Sequence, residues 1–243
     1  MLMYYFVSDL HLRDEAEKNY QSFLAFLRRI NSPSTKALFM VGDIFDLWVA
    51  DHSCFINTYK DIVAAVHELT KNNIQVYYFE GNHDLYLKGL WEDEMGCKVI
   101  ANHLSITLDG VKFRIEHGDL ANPEDKSYLR YRAVLRSSFF NWLAYKVPGK
   151  LVQDLGLKAS RESRKTSVAK RERVEKILDT YVNELSKTEL FDVFVSGHFH
   201  ERIDKVLSSS GKQVRNINLG WWKDERKVLV FNKGDLSWLE VDR

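Results

Sequence analysis

A chain of 243 residues, 45% of them hydrophobic, can bury a substantial core, which excludes a disordered tail. Its two cysteines, Cys54 and Cys97, have neither C-x-x-C spacing nor a framework of pairs. That excludes a disulfide scaffold and fits a reducing, cytoplasmic setting in which each is a small buried hydrophobe.

The first residues, Met3-Tyr4-Tyr5-Phe6-Val7, run straight into Ser8-Asp9 with no basic leader or small-residue cleavage site, and read as a first strand and not a signal. Apolar runs and amphipathic stretches then alternate, giving a strand at 3–8, a helix at 18–30, a strand at 37–41, a helix at 57–72 and a strand at 75–80. This rhythm predicts an α/β sheet with helices on its faces. The Asp109-Gly110 pair, between Ile106-Thr107-Leu108 and Val111-Lys112-Phe113, predicts a hairpin.

From 125 to 187 strand signals vanish and the pattern is helical, broken around Pro148-Gly149 and Gly156. Strands resume at 191–196, 213–219, 228–231 and 237–241. The reading is a catalytic core of residues 1–121 and 188–243 carrying a helical cap at 122–187. No window approaches the run of about 20 apolar residues that spans a bilayer, so any membrane contact is expected to be peripheral.

The formal net charge of +1 conceals an asymmetry: residues 125–176 hold 14 Lys/Arg against 5 Asp/Glu. That segment is built to meet something anionic. Within it Phe139, Phe140, Trp142, Leu143, Tyr145 and Val147 are interleaved with Arg130, Arg132, Arg136, Lys146 and Lys150, a mixture suited to an anionic headgroup on apolar chains. The same pattern also fits a cap that buries its apolar face on the core and solvates its charges. Because its aromatics sit among aliphatics and not singly among basic residues, nucleic acid is not the expected partner.

Five short motifs end predicted strands: Asp9-Leu10-His11, Gly42-Asp43-Ile44-Phe45-Asp46, Gly81-Asn82-His83-Asp84, His117-Gly118-Asp119 and Gly197-His198-Phe199-His200. Loops beyond the carboxyl ends of strands are where α/β folds place their sites. Five of the eight histidines fall in these motifs, alongside Asp9, Asp43, Asp46 and Asn82; His52, His67 and His103 read as surface or helix-face residues. Imidazoles mixed with hard oxygen donors suit Mn²⁺, Fe²⁺ or Zn²⁺.

In this order the motifs resemble those of the calcineurin-like metallophosphoesterases: D-x-H, G-D-x-x-D, G-N-H-D, a lone histidine and G-H-x-H. The resemblance implies a four-layer αββα sandwich, with a helical cap here, and two divalent metal ions. It implies that Asp9, His11, Asp43 and His200 hold one metal, and that Asn82, His117 and His198 share Asp43 to hold the other. His83 and Asp46 would form a dyad beside Asn82 that acts on the phosphate or the leaving oxygen.

Gly42-Asp43-Ile44-Phe45-Asp46-Leu47-Trp48, Asp51, His117-Gly118-Asp119, Tyr128 and Lys158-Ala159-Ser160 look more narrowly like the UDP-2,3-diacylglucosamine pyrophosphohydrolases of lipid A biosynthesis. That likeness implies a manganese pair, hydrolysis to UMP and 2,3-diacylglucosamine 1-phosphate, and peripheral association with the cytoplasmic face of the inner membrane. It makes Trp48, Tyr128, Ser160, Arg164 and Lys165 candidates for the substrate pocket. Members of that family carry Arg where this chain has His83, so a metal-dependent phosphodiesterase or nucleotide phosphohydrolase is the alternative expectation.

Overall fold

Strand β1 (Met3–Val7) is buried on both faces, and this sets the architecture. Tyr4 and Phe6 point one way, into an interior shared with Phe39, Phe113, Val195, Ile217 and Phe231. Tyr5 and Val7 point the other way, into a second core with Phe23, Leu27, Ile62 and Val66. Such alternation is the period of two of an extended chain. The computed structural model describes residues 2–154, 156, 171–209 and 211–242.

After β1 come α1 (Lys18–Ile30), β2 (Thr35–Met40), β3 (Trp48–Val49), α2 (Ser53–Thr58), α3 (Lys60–Lys71), β4 (Gln75–Phe79), β5 (Asp84–Leu85), a π-helical turn (Lys88–Glu94) and β6 (Lys98–Ile100). They are followed by β7 (His103–Leu108), β8 (Val111–Glu116), α4 (Lys126–Leu135), α5 (Ser138–Lys146) and α6 (Arg171–Leu185). The chain then forms β9 (Val193–Ser196), β10 (Arg202–Ser209), β11 (Lys212–Leu219), β12 (Lys227–Asn232) and β13 (Asp235–Glu240).

Two sheets face each other, one ordered β13-β12-β1-β2-β4-β6 and the other β10-β11-β9-β8-β7. Helices α1 and α3 cover the first on its outer side, with Phe23, Leu27, Ile62, Val66 and Leu69 buried against Leu38, Val76 and Tyr78. Helix α6 covers the second through Val174, Leu178 and Val182, packed with Phe194, Ile203 and Val214. The layers are therefore helix, sheet, sheet, helix.

Several elements depart from expectation. The helix expected at 57–72 is two helices, α2 and α3, separated at Tyr59 (φ −112°, ψ 22°). Strand β10 was not expected: one of its faces carries Arg202, Asp204 and Ser208, and it lies at a sheet edge where only its partner β11 pairs with it. Helix α6 falls within 122–187, yet its buried stripe is a layer of the sandwich. Helices α4 and α5 instead stand over the ends of the strands. Each starts on a capping side chain, Asp125 accepting from Tyr128 N and Ser137 from Phe140 N.

Candidate metal centre

The expected ligand residues all lie just past strand ends: Asp9 and His11 after β1, Asp43 after β2, Asn82 after β4, His117 after β8, and His198 and His200 after β9. Strands β1, β2 and β4 run parallel in one sheet, and β8 and β9 run parallel in the other. The five loops thus meet where the two sheets end side by side. Main-chain bonds lock them together: Asp9 N donates to Gly42 O (3.1 Å), His11 N to Asp43 O (3.1 Å) and Gly197 N to His117 O (2.9 Å).

The side chains converge. His11 Nε2 lies 3.0 Å from His200 Nε2 and 3.8 Å from Asp43 Oδ2, and His200 Nε2 lies 3.5 Å from Asp9 Oδ1. His117 Nε2 lies 3.5 Å from Asp43 Oδ2, while Asn82 Oδ1 sits 3.2 Å from His117 Nε2 and 3.0 Å from His198 Nδ1. Asp9, His11 and His200 form one group whose donor atoms all lie within 4.8 Å of one another; Asp43, His117 and His198 form another.

Five of these residues have left-handed backbone: Asp9 (φ 54°), His11 (45°), Asp43 (53°), His198 (71°) and His200 (61°). Each such residue other than glycine costs on the order of 1–3 kcal/mol, and the packed sheets hold them there. Glycines admit the carboxylates, since a β-carbon at Gly197 would lie 2.4 Å from Asp9 Oδ2. His11 Nδ1 is buried without a hydrogen-bond partner.

The charges respond to this crowding. Burial drives His11 down to about 3, against the attraction of Asp43. Burial, reinforced by His117, lowers His198 to about 4. At His117 burial also disfavours the cation, but the Asp43 carboxylate outweighs it and raises the group to about 10. Asp43 is held well below the usual carboxylate range, burial notwithstanding, by His117 and His83. Four imidazoles, two buried carboxylates and an amide oxygen within a few ångströms are a donor set that fits divalent cations of the manganese, iron or zinc type.

His83 is buried, its main-chain N–H donates to Asp43 Oδ1 (2.9 Å), and its ring Nδ1 is bonded to the main-chain carbonyl of Asp46 (2.8 Å). The contact that holds the His83 ring is thus the main-chain carbonyl of Asp46, while an Asp46 carboxylate oxygen pairs with Arg13 Nε at 3.3 Å. His11, Asp46 and His83 also bring donor atoms within 4.8 Å of one another.

The substrate-pocket candidates divide. Tyr128 stands at the site: its hydroxyl donates to Asp119 Oδ2 (2.9 Å) and its ring lies 5.6 Å from His198. Trp48 does not: it is fully buried among Phe45, Phe55, Tyr59 and Trp91, because Leu47, just before its two-residue strand, and Val49 within it take the cavity side. Ser160, Arg164 and Lys165 lie outside the described residues. Of the remaining histidines, His52 bonds the Ala144 carbonyl of α5 (2.8 Å), and Trp221 stacks on His200 with centroids 5.1 Å apart.

Beside the cluster lies a cavity of about 610 Å³. Asn82, His83 and Tyr128 border it, and the rest of its wall is largely apolar, from Leu47, Val49 and Leu85 of the core to Tyr131, Leu135, Phe140, Leu143, Val147 and Val152 of the cap.

The calcineurin-like phosphoesterase pattern matches residues 3–202, a span that takes in all five loops. The chain belongs to that family. It is a metal-dependent phosphoester hydrolase. Among this phosphoesterase's relatives, the UDP-2,3-diacylglucosamine hydrolase of Photobacterium profundum is 30% identical over 93% of this chain and 91% of that protein. The enzyme of the same name from Azotobacter vinelandii is 27% identical over 92% of each. Among solved structures, a novel archaeal phosphodiesterase superposes with a TM-score of 0.51 at 15% identity, covering 98% of this chain and 99% of that one, a likeness of fold.

Sequence reasoning gave no role to Asp84, Asp119 or Asn218, and placed Arg132 and Arg136 only in the basic mixture suited to an anionic headgroup. The fully buried Asp84 carboxylate accepts from Ile44 N (2.7 Å), Phe45 N (3.3 Å) and Tyr78 Oη (3.0 Å), fixing the loop that carries Asp43. Asn218 donates to Ser196 Oγ (3.0 Å) and Gly197 O (2.5 Å), just before His198. Both aspartates close their motifs, a signal that was available; Asn218 gave none, and nothing in the sequence tied the arginines to these loops.

Proposed function

We propose that this phosphoesterase hydrolyses the diphosphate of a UDP-linked 2,3-diacylglucosamine, giving UMP and 2,3-diacylglucosamine 1-phosphate. The observation that carries the reading is the apolar cavity whose polar end is Asn82, His83 and Tyr128. Its volume lies in the range of sites that enclose a large small molecule. A bare nucleotide has no use for such walls, whereas acyl chains contribute about 0.8 kcal/mol for each methylene buried. The shared name of relatives matched along nearly their whole length supports the same substrate.

In this reading Asp9, His11, Asp43 and His200 hold one divalent cation, and Asp43, Asn82, His117 and His198 hold a second, manganese being the expected metal. Such a pair activates water and neutralises charge that builds on phosphoryl oxygens. The protein's own contribution is placement. Asp43 is fixed by the His83 main-chain N–H, and Asp9 by the main-chain N–H of His198 at 2.9 and 3.0 Å. The Asp46 carbonyl accepts a hydrogen bond from His83 Nδ1–H, so Nε2 is the nitrogen that serves the substrate, donating to a phosphoryl or leaving oxygen when the ring is protonated. Tyr128, anchored on Asp119, borders the path from cluster to cavity.

The cap also supports peripheral contact with a membrane. Phe139 (62% exposed), Trp142 (57%) and Leu151 (50%) present apolar surface close in sequence to Lys146 and Lys150. No helix among the described residues is long and apolar enough to cross a bilayer.

His83 favours one second reading, a phosphodiesterase of simpler esters, since arginine is the residue expected at that position in the lipid hydrolases. The deciding experiment offers purified protein with Mn²⁺ both UDP-2,3-diacylglucosamine and bis(p-nitrophenyl) phosphate. The proposal expects UMP release from the lipid; cleavage of the small diester without any UMP release overturns it in favour of the second reading.

A further inference from the structure

We infer that helix α4 aligns two of the metal-binding loops, with Arg136 and Arg132 as its positioning residues. Tyr128, Arg132 and Arg136 recur every fourth residue and so share one helix face. Arg136 Nη1 donates to Glu80 Oε2 (2.7 Å) and Ala101 O (2.9 Å), and its Nη2 to the carbonyls of Glu80 and Gly81 (3.2 Å each). Those two carbonyls immediately precede Asn82 in the chain.

Arg132 Nε donates to Asp119 Oδ2 (2.5 Å), two residues beyond His117, and its Nη2 to Asn102 Oδ1 (3.2 Å). Asp119 also accepts the Tyr128 hydroxyl. Both arginine side chains are only 14% exposed, and Glu80 and Asp119 are 11% and 5% exposed, so these charged bonds are largely shielded from water. The gap between α4 and the two loops is a cavity of only about 10 Å³.

Tyr131 and Leu135, four residues apart, line the large apolar cavity. One rigid helix therefore reads the cavity with one stripe and fixes the Asn82 and His117 loops with another. The helix that borders the cavity is thus also the helix that holds these two ligand loops. The inference rests on the metal-assisted hydrolysis proposed above, and the guanidinium groups act through the loops.

The test compares wild-type protein with Arg136→Met, Arg136→Lys and Glu80→Gln in two readouts. The first is titration with Co²⁺, following its visible absorption, which reports affinity and ligand geometry without turnover. The second is hydrolysis of bis(p-nitrophenyl) phosphate, a small diester that does not need the cavity. Removing a partner that orients a metal ligand typically costs about 10–100-fold in affinity or activity.

Arg136→Met is expected to weaken Co²⁺ binding and lower kcat within about that range, to alter the Co²⁺ spectrum, and to leave KM within about twofold. Arg136→Lys should recover part of both. A variant with wild-type Co²⁺ affinity, spectrum and kcat, and only a lowered Tm, overturns the inference. Should Arg136→Met fail to fold, Glu80→Gln, which keeps the side-chain shape, decides: a changed Co²⁺ spectrum supports alignment and an unchanged one refutes it. If wild-type protein neither cleaves the diester nor releases UMP from the diacylated UDP-sugar, the hydrolytic reading fails, while the Co²⁺ titration still judges the arginines.

Discussion

Gly81 lies so close to Asp43 that a β-carbon at position 81 would come within 2.0 Å of Asp43 Oδ1 and 2.6 Å of its amide nitrogen. The backbone of the Asn82 loop thereby forms part of the wall that holds the carboxylate common to both proposed metal sites. Gly81→Ala must displace one or the other. We predict a loss of metal affinity and kcat on the order of 10–100-fold. Metal titration alongside diester turnover checks it; wild-type values for both would show that the loop yields freely.

His83 is assigned to the substrate and not to a metal, so its removal should separate chemistry from binding. His83→Asn is predicted to lower kcat by roughly 10²–10⁴-fold, as for loss of a proton donor, with metal content unchanged. Inductively coupled plasma analysis and steady-state kinetics on one preparation measure both. A parallel loss of metal would reassign His83 as a ligand.

His117, raised to about 10 in the metal-free protein, carries a proton at neutral pH, whereas ligation requires the neutral ring. Metal binding should therefore release a proton, and affinity should climb as pH rises from 6 towards 9. Calorimetric titration of Mn²⁺ in buffers of differing ionisation enthalpy measures the release. Heats independent of buffer would contradict the prediction.

Leu143 lines the apolar cavity assigned to the acyl chains and belongs to neither donor group. Leu143→Asp should remove contact worth two or three methylenes, roughly 30-fold in kcat/KM on the diacylated substrate. Turnover of bis(p-nitrophenyl) phosphate should stay as it was. Equal losses on both substrates would mean that the cavity does not bind the apolar part.

Leu178 is fully buried under the second sheet, although its helix falls in the stretch read as cap. Leu178→Ala is predicted to destabilise the fold by about 2–5 kcal/mol. Urea unfolding gives the change; a cost near zero would return α6 to a peripheral role.

Much of this was legible in the sequence for a simple reason. Strand β1 and the 37–41 stretch that contains most of β2 are buried on both faces and read as apolar runs, and the motifs follow them at once, so Asp9, His11 and Asp43 could be put at strand ends without any tertiary knowledge. Trp48 could not, because its direction depends on which side of a two-residue strand the cavity forms. Arg132 and Arg136 looked like one more part of a basic surface, and only the fold brings Asp119 and Glu80 beneath them. In β10 the charged residues of the solvent-facing side masked a strand whose other side carries the buried Ile203.

The most direct test of the account is the metal content and diester turnover of Asp43→Ala, measured on folded protein with Mn²⁺ in excess. The account predicts fewer bound ions than in the wild type and a fall in kcat beyond the roughly 100-fold that loss of an orienting partner gives. Full metal occupancy with wild-type turnover would contradict it, because the carboxylate assigned to both proposed metal sites would then be dispensable.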